Sequence, residues 1–355
     1  MPTLFPPQVI RGPLGGIQQS YINGMIKILA QPKYFYPFIL AAGIAVLLSL
    51  SDRDPIHHKE SQERLEHNFY EYLDGVTNHT YPGPYVYRTL IPTSISFIHH
   101  VVPSVNAISV DFVFKIVLLF LCQIAFFSYQ RLFFKSTESF FGVAILDVLL
   151  GFSLVQTEGP TLIETADILN LLVFLLAFIF IYHGYFKSFC VILILGTLNR
   201  ETTFLLPLVF LAANRLTRKS LFLTLIAFLA VAIPYCALHL FIHPPISAWM
   251  TFDAISHNLP LFGKSEIAQI VAANVHLIIL LGPLSLIAIY KFSSHPVFLK
   301  SVSLIAPFFI LLHYIVGIIM EARLWMPMYV ILIPLAIDTL VKLFQEESID
   351  QNTLT

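Results

Sequence analysis

Charged residues are scarce in this chain, and that scarcity argues against a soluble fold. Only 12% of the 355 residues are Asp, Glu, Lys or Arg, whereas a typical soluble domain carries about 25%. The three cysteines all lie inside apolar runs, so no disulfide or metal framework is expected. The formal net charge of −1 points to no charged partner, and no nucleic-acid partner is expected.

Familiar active-site motifs are missing as well. The sequence contains no Walker motif, no dinucleotide-binding glycine fingerprint, no nucleophile elbow and no zinc-binding helix motif. Residues 1–34 contain Pro6, Pro7 and Pro13 and do not form a cleavable signal peptide pattern. We expect this segment to be cytoplasmic, with an interfacial helix around residues 22–29.

Long apolar runs occupy most of the chain. The hydrophobic fraction is 57% and the mean hydropathy is +0.79. Apolar runs of about 18 residues or more are typical of transmembrane helices, and these runs do not alternate as barrel strands do. The sequence therefore predicts an all-α polytopic membrane protein, with one transmembrane domain over residues 35–344 and a disordered cytoplasmic tail over residues 345–355. Eight full spans are predicted, at residues 36–50, 109–129, 140–155, 162–185, 221–242, 267–289, 298–319 and 324–344, with external loops at 51–107 and 243–266.

A further apolar run, residues 188–213, is interrupted in its middle by Leu198-Asn199-Arg200-Glu201-Thr202-Thr203. A charge at membrane depth costs roughly 2.5–3.5 kcal/mol, so such groups normally pair or face a polar cavity. Two interpretations stay open. Arg200 and Glu201 form an ion pair that only orders the fold, or the segment points into a functional site.

The distribution of Lys and Arg favours a helical hairpin for this run. Cytoplasmic loops of membrane proteins carry an excess of these residues. A hairpin with both ends inside places Lys187, Arg218, Lys291, Lys300 and Lys342 in the cytoplasm, whereas a straight crossing would move the last four outside. The sequence therefore predicts a re-entrant hairpin, with both termini cytoplasmic.

This topology gathers ionisable groups on the external side. Guanidinium forks suit phosphate and carboxylate, so Arg88, Arg200 and Arg323 are predicted to hold a pyrophosphate or a lipid-linked phosphate. A carboxylate at such a site can take a proton from a sugar hydroxyl, and Asp52 and Asp54 follow the first span directly. A solvated helix end is the alternative for these two residues. Further candidates are Tyr87, Asn199, Glu201, Glu321 and the pair Glu164 and Asp167, which lie three residues apart on one helix face.

The first external loop carries two weaker signals. A short helix is predicted over Glu60–Leu73, ended by a turn at Asp74-Gly75. The histidines of this loop suggest a metal site, with a solvated cluster as the alternative, so a divalent metal is possible but not required. The residues concerned are His57, His58 and His67, with Asp54 or Glu60.

Three short motifs carry a family resemblance. They are Tyr87-Arg88-Thr89-Leu90-Ile91-Pro92 after the acidic start of the first loop, Asn199-Arg200-Glu201-Thr202 between two short helices, and Glu321 and Arg323 followed by Pro327. In this arrangement, over roughly residues 36–340, the chain resembles uncharacterised bacterial members of the GT-C superfamily of integral-membrane glycosyltransferases.

The resemblance implies a GT-C-like fold and an inverting transfer of sugar from a polyprenyl-phosphate donor on the non-cytoplasmic face. It makes Asp52 or Asp54 the base and Arg88, Arg200 and Arg323 the ligands of the donor phosphate. Membrane lipids and polysaccharide-synthesis proteins are the implied partners, and the bacterial inner membrane is the implied location.

Two other functions fit the same residues. A transporter or flippase for a lipid-linked or anionic solute would use the half-helices at 188–213 as a midplane site. A non-catalytic assembly subunit would use the buried charges only to order its fold.

Overall fold

The structure is a computed structural model that describes residues 59–83, 85–155, 161–214, 216–243, 278–279, 281–317 and 321–353. Within these ranges every regular element is a helix. The N-terminal segment, the predicted span 36–50, Asp52, Asp54 and most of the predicted span 267–289 lie outside the described residues.

Twelve helices are named here in chain order. They are α1 Lys59–Thr77, α2 Leu90–Val101, α3 Ala107–Gln130, α4 Ser136–Val155, α5 Thr161–His183, α6 Phe186–Thr197, α7 Leu206–Ala213, α8 Arg218–Phe241, α9 over residues 281–289, α10 Val297–Ser303, α11 Ala306–Val316 and α12 Met326–Thr353. Short 3-10 turns lie at Tyr85–Tyr87, Glu201–Leu205, Phe292–Ser294 and Ala322–Trp325.

Six helical segments in the described part of the chain are long and apolar enough to cross a membrane. They are Ala107–Gln130, Ser136–Leu154, Leu162–His183, Arg218–Phe241, Val297–Ile315 and Ala322–Glu346. Each overlaps one predicted span, so an all-helical, multi-pass membrane protein is confirmed. The count of eight spans stays a prediction.

Two of these spans form the centre of the bundle. The apolar part of α5 is 78% buried and that of the Ala322–Glu346 segment is 89% buried, whereas that of α8 is only 17% buried. Trp325, Phe174 and Phe178 are fully buried at the centre. The outer side of α8 exposes Ile233 and Leu240, as expected of a helix that faces lipid.

The interrupted run doubles back on itself. Phe186 and Phe189, near the start of α6, lie 5.4 Å and 5.5 Å between ring centroids from Phe210, near the end of α7. A straight helical path would separate Phe189 and Phe210 by about 30 Å, at 1.5 Å per residue. The run is therefore a hairpin of two short helices, with residues 198–203 at its tip.

The predicted turn at Asp74-Gly75 is wrong. Helix α1 continues to Thr77, and the chain turns at His79, whose φ is 60°. Gly75 is explained by packing, because a Cβ at this position would lie 2.7 Å from Cδ2 of Tyr81. The backbone N–H of Tyr81 also donates to the Gly75 carbonyl at 2.9 Å. The missing side chain thus lets the segment after α1 fold back onto the helix.

Two buried polar contacts join neighbouring spans among the described residues. The Lys115 ammonium of α3 lies 2.8 Å from a Glu164 carboxylate oxygen of α5, and both side chains are buried. Gln123 of α3 donates to Asp147 of α4 at 2.8 Å. Such pairs connect neighbouring helices in a membrane, where unpaired polar groups are costly.

Candidate functional site

One end of the bundle brings together charged side chains from four separate segments. Arg88 follows the 3-10 turn Tyr85–Tyr87, and Asp167 lies in the first turns of α5. The tip of the hairpin contributes Arg200 and Glu201. Arg323 comes from the turn that precedes α12. We call this group, together with Glu321, the arginine cluster.

Asp167 lies at the centre of the arginine cluster. Arg200 forms an ion pair with one carboxylate oxygen of Asp167, and Nε of Arg323 lies 3.5 Å from the other. The Asp167 side chain is 1% exposed, and those of both arginines are 6% exposed. A carboxylate this deep is stable only when it is paired, and here two guanidinium groups surround it.

The other two acids form the outer edge of the cluster. Glu321 accepts from Nη2 and Nε of Arg323 at 2.9 Å and 3.2 Å. Glu201 lies 3.6 Å from Nη2 of Arg88, which is longer than a hydrogen bond. The side chains of Glu201 and Glu321 are 34% and 27% exposed, so the cluster opens to its surroundings on their side.

Hydrogen bonds to a main-chain carbonyl and to a side chain fix the hairpin tip beside α5. Asn199 donates to the carbonyl of Ala166 at 2.7 Å, and Thr202 donates to the side chain of Asn170 at 3.1 Å. The backbone N–H of Leu90 donates to the carbonyl of Leu198 at 3.2 Å. This last bond connects the segment that carries Arg88 to the hairpin tip that carries Arg200. It therefore fixes the positions of Arg88 and Arg200 relative to each other.

Several buried donors in this region have no hydrogen-bond partner among the described residues. They include Nε of Arg88, Nη1 of Arg323 and the hydroxyl of Tyr72. Buried guanidinium nitrogens without a partner are rare, because each one costs about 1–3 kcal/mol or more. A ligand with several acceptor oxygens would satisfy them.

The electrostatic surroundings of Arg88 favour its charged form. Burial lowers the pKa of its guanidinium, but Glu201, Tyr85, Tyr72 and Glu321 outweigh this and raise it. The guanidinium carbon also lies 4.8 Å from the centre of the Tyr85 ring, a cation–π contact. Burial raises the pKa of the Tyr72 phenol, so its hydroxyl stays protonated as a donor.

Glu164 and Asp167 do not act together. Glu164 pairs with Lys115 of α3, whereas Asp167 pairs with Arg200 at the hairpin tip. Thr165, between them, donates to Asp111 of α3 at 2.7 Å. The structure thus assigns Asp167 to the arginine cluster and Glu164 to the contact between α3 and α5.

The structure adds an aromatic stack that sequence reasoning missed. Tyr87 stacks on His239 at 3.8 Å between centroids, and Tyr235 lies 4.1 Å from the same ring. Phe204 of the turn after the hairpin tip meets Tyr235 edge-on at 5.1 Å. The end of α8 therefore reaches the arginine cluster, and Tyr87, a predicted site residue, is part of the connection.

The proposed base and metal ligands are only partly covered by the structure. Asp52, Asp54, His57 and His58 lie outside the described residues. His67 is exposed and lies 3.9 Å from Glu71 of the same helix. Among the described residues, no group of three His, Cys, Asp or Glu side chains is arranged to hold a metal ion.

The arrangement described above can be set beside known proteins. No family model, no curated protein and no solved structure matches this chain. The resemblance to the GT-C superfamily stays a prediction drawn from the three short motifs, and the geometry of the arginine cluster is the basis of the functional proposal.

Proposed function

We propose that this protein is a membrane glycosyltransferase that takes a sugar from a polyprenyl-phosphate donor at the end of the bundle where the arginine cluster lies. One observation carries the proposal. Arg88 and Arg323 each present a buried guanidinium nitrogen without a partner among the described residues, beside two partly exposed carboxylates. Planar guanidinium groups hold phosphate through paired hydrogen bonds, so this is a suitable site for a phosphate ester.

The reaction divides between two sets of residues. The oxygen of an acceptor hydroxyl forms a bond to the anomeric carbon, and the bond from that carbon to the phosphate oxygen breaks. The electron pair stays on the phosphate oxygen, where the arginines stabilise the charge. The hydroxyl proton passes to Asp52 or Asp54. The hydroxyl oxygen attacks from the face opposite the phosphate, and this single displacement inverts the anomeric carbon.

A sugar-release assay tests the proposal. Farnesyl phosphosugars carrying glucose, galactose, mannose or N-acetylglucosamine are incubated with the protein in lipid nanodiscs, with water as the acceptor of the sugar, and the release of farnesyl phosphate is measured. We expect R88Q and R323Q to weaken binding of the donor about 10- to 100-fold, as the loss of one charge-assisted hydrogen bond implies. We expect D52N or D54N to abolish release while donor binding persists.

The matched control is R218Q, because Arg218 is an exposed arginine at the start of α8, at the opposite end of that helix from Tyr235 and His239. It should bind the donor as the wild-type protein does. Equal affinity of R88Q, R323Q and R218Q for the donor would contradict the assignment of Arg88 and Arg323 as phosphate ligands. Farnesyl phosphate release that persists in both D52N and D54N would contradict the assignment of either aspartate as the base.

A transporter or flippase is the second candidate, and the hairpin favours it. Two short helices meet at a polar tip in the middle of an apolar segment, which is a common arrangement of substrate sites in transporters. This function predicts movement of a labelled farnesyl phosphosugar across a proteoliposome membrane, with no farnesyl phosphate released.

A further inference from the structure

Both faces of the His239 imidazole are covered. The ring centroids of Tyr87 and Tyr235 lie 3.8 Å and 4.1 Å from that of His239, with interplanar angles of 19° and 34°. Two rings this close to a third would overlap if they shared one face, so they lie on opposite faces. The imidazole is therefore held between two phenol rings, and only its edge is left to interact with a ligand.

One nitrogen on that edge is already used. Nδ1 of His239 lies 3.0 Å from the backbone carbonyl oxygen of Tyr235. A carbonyl only accepts, so Nδ1 carries the hydrogen, and in the neutral ring Nε2 is then an acceptor. Nε2 forms no hydrogen bond to any of the described residues. The stack thus holds one acceptor nitrogen in a defined tautomer and orientation.

This acceptor lies beside the arginine cluster. Tyr87, which stacks on the imidazole, immediately precedes Arg88 of that cluster. Phe204, three residues after Glu201, packs against Tyr235. The same end of the bundle therefore carries two chemistries, the guanidinium donors of the arginine cluster and the imidazole acceptor of His239.

We infer that His239 is a sugar-binding residue that accepts a hydrogen bond, through Nε2, from a hydroxyl of the sugar ring whose phosphate the arginines hold. Guanidinium groups suit the anionic part of a sugar phosphate, and neutral or anionic acceptors suit its hydroxyl groups. The inference rests on the proposed function and adds to it the residue that recognises the sugar.

Differential binding tests the inference. The affinities of farnesyl phosphate and of its esters with glucose, galactose, mannose and N-acetylglucosamine are measured in nanodiscs of phosphatidylcholine, without sugar-based detergent. In the wild-type protein, we expect at least one ester to bind more tightly than farnesyl phosphate. H239F keeps an aromatic ring in the stack but has no acceptor nitrogen. In this variant we expect the ratio of the affinity for that ester to the affinity for farnesyl phosphate to fall about 5- to 10-fold, the effect of one neutral hydrogen bond.

Two further variants separate recognition from a structural role. H239Q places an amide oxygen near the position of Nε2, and H239N places an amide near that of Nδ1, so H239Q should restore part of this affinity ratio and H239N should not. If all three variants weaken farnesyl phosphate and its esters equally, the stack is only structural and the inference is overturned. It is also overturned if no ester binds better than farnesyl phosphate in the wild-type protein.

The proposed function can fail separately. If the wild-type protein binds neither farnesyl phosphate nor its esters, then the arginine cluster is not a phosphate site, and the proposed function and the inference fall together. Tight binding of farnesyl phosphate with no effect of the sugar leaves the proposed phosphate site intact and removes only the role of His239.

Discussion

Asp167 shows how a single residue can organise a site at membrane depth. Its carboxylate is almost completely buried and is surrounded by Arg200 and Arg323. The free energy of burying an ion is several kcal/mol, and it is recovered only through close pairing. Two arginines against one inner carboxylate leave an excess of positive charge, which Glu321 balances from the exposed edge. An anionic ligand could take over that balance when it binds.

Replacing Asp167 by Asn should therefore destabilise the protein strongly. D167N keeps the shape of the side chain but leaves Arg200 without its anion and Arg323 paired with Glu321 alone. Removing one partner of a buried ion pair typically costs about 3–5 kcal/mol. Thermal unfolding in detergent, followed by intrinsic fluorescence, measures the effect. D147N is the matched control, because Asp147 is also a buried aspartate but accepts from the neutral amide of Gln123, and an Asn can still accept there. Similar losses in the two variants would show that the charge of Asp167 does not hold the cluster.

At the scale of elements, the hairpin is the feature that positions the site. The charges in the middle of an apolar run, together with the distribution of Lys and Arg, were enough to predict that residues 188–213 turn back. The facing phenylalanines of α6 and α7 agree with that prediction. The helix end at Asp74-Gly75 could not be predicted correctly, because the reason for Gly75 is the ring of Tyr81, which folds back from beyond the helix.

The contacts between elements far apart in the chain could not be predicted from the sequence either. Tyr87 and His239 come from a loop and from the end of α8, and neither lies in a pattern that indicates the other. Glu164 and Asp167 share a helix face by spacing, yet α3 supplies the partner of Glu164 and the hairpin tip supplies that of Asp167. The spacing of residues along a helix predicts which face a side chain lies on. The residue that it contacts on a neighbouring segment is seen only in the packed bundle.

Close packing inside the hairpin gives a second stability prediction. A Cβ at Gly196 would lie 2.7 Å from Cγ1 of Val173 and 2.8 Å from Oγ1 of Thr203. G196A should therefore destabilise the protein by about 1–3 kcal/mol, the usual effect of overpacking, despite the better helix propensity of Ala. Thermal unfolding in detergent provides the measurement, and adding V173A should recover part of the loss by making room.

Gly282 provides the control for this substitution. A Cβ there would meet its nearest neighbour, Cγ2 of Ile278, at an ordinary 3.4 Å, so G282A should be neutral or stabilising by about 0.5–1 kcal/mol. A G196A protein as stable as G282A would mean that α6 does not approach α5 and the hairpin tip as closely as described.

At the scale of the whole molecule, the hairpin of residues 188–213 determines on which side of the membrane each later loop lies. With a hairpin, residues 187 and 218 are on the same side, whereas a straight crossing would place them on opposite sides. Both positions are exposed, as is His79 after α1, on the side predicted to be external. Single cysteines at these three positions, in a background without Cys122, Cys190 and Cys236, report the arrangement directly.

We expect a membrane-impermeant maleimide added to intact cells to label H79C but neither K187C nor R218C, and all three to react once the membrane is opened. The physical reason is that the Lys and Arg residues flanking the hairpin are retained on the cytoplasmic side. Labelling of R218C but not K187C in intact cells would mean that residues 188–213 cross the membrane once, and the arginine cluster would then not lie on the external side together with the first loop. Labelling of all three from outside would instead reverse the predicted orientation of both hairpin ends.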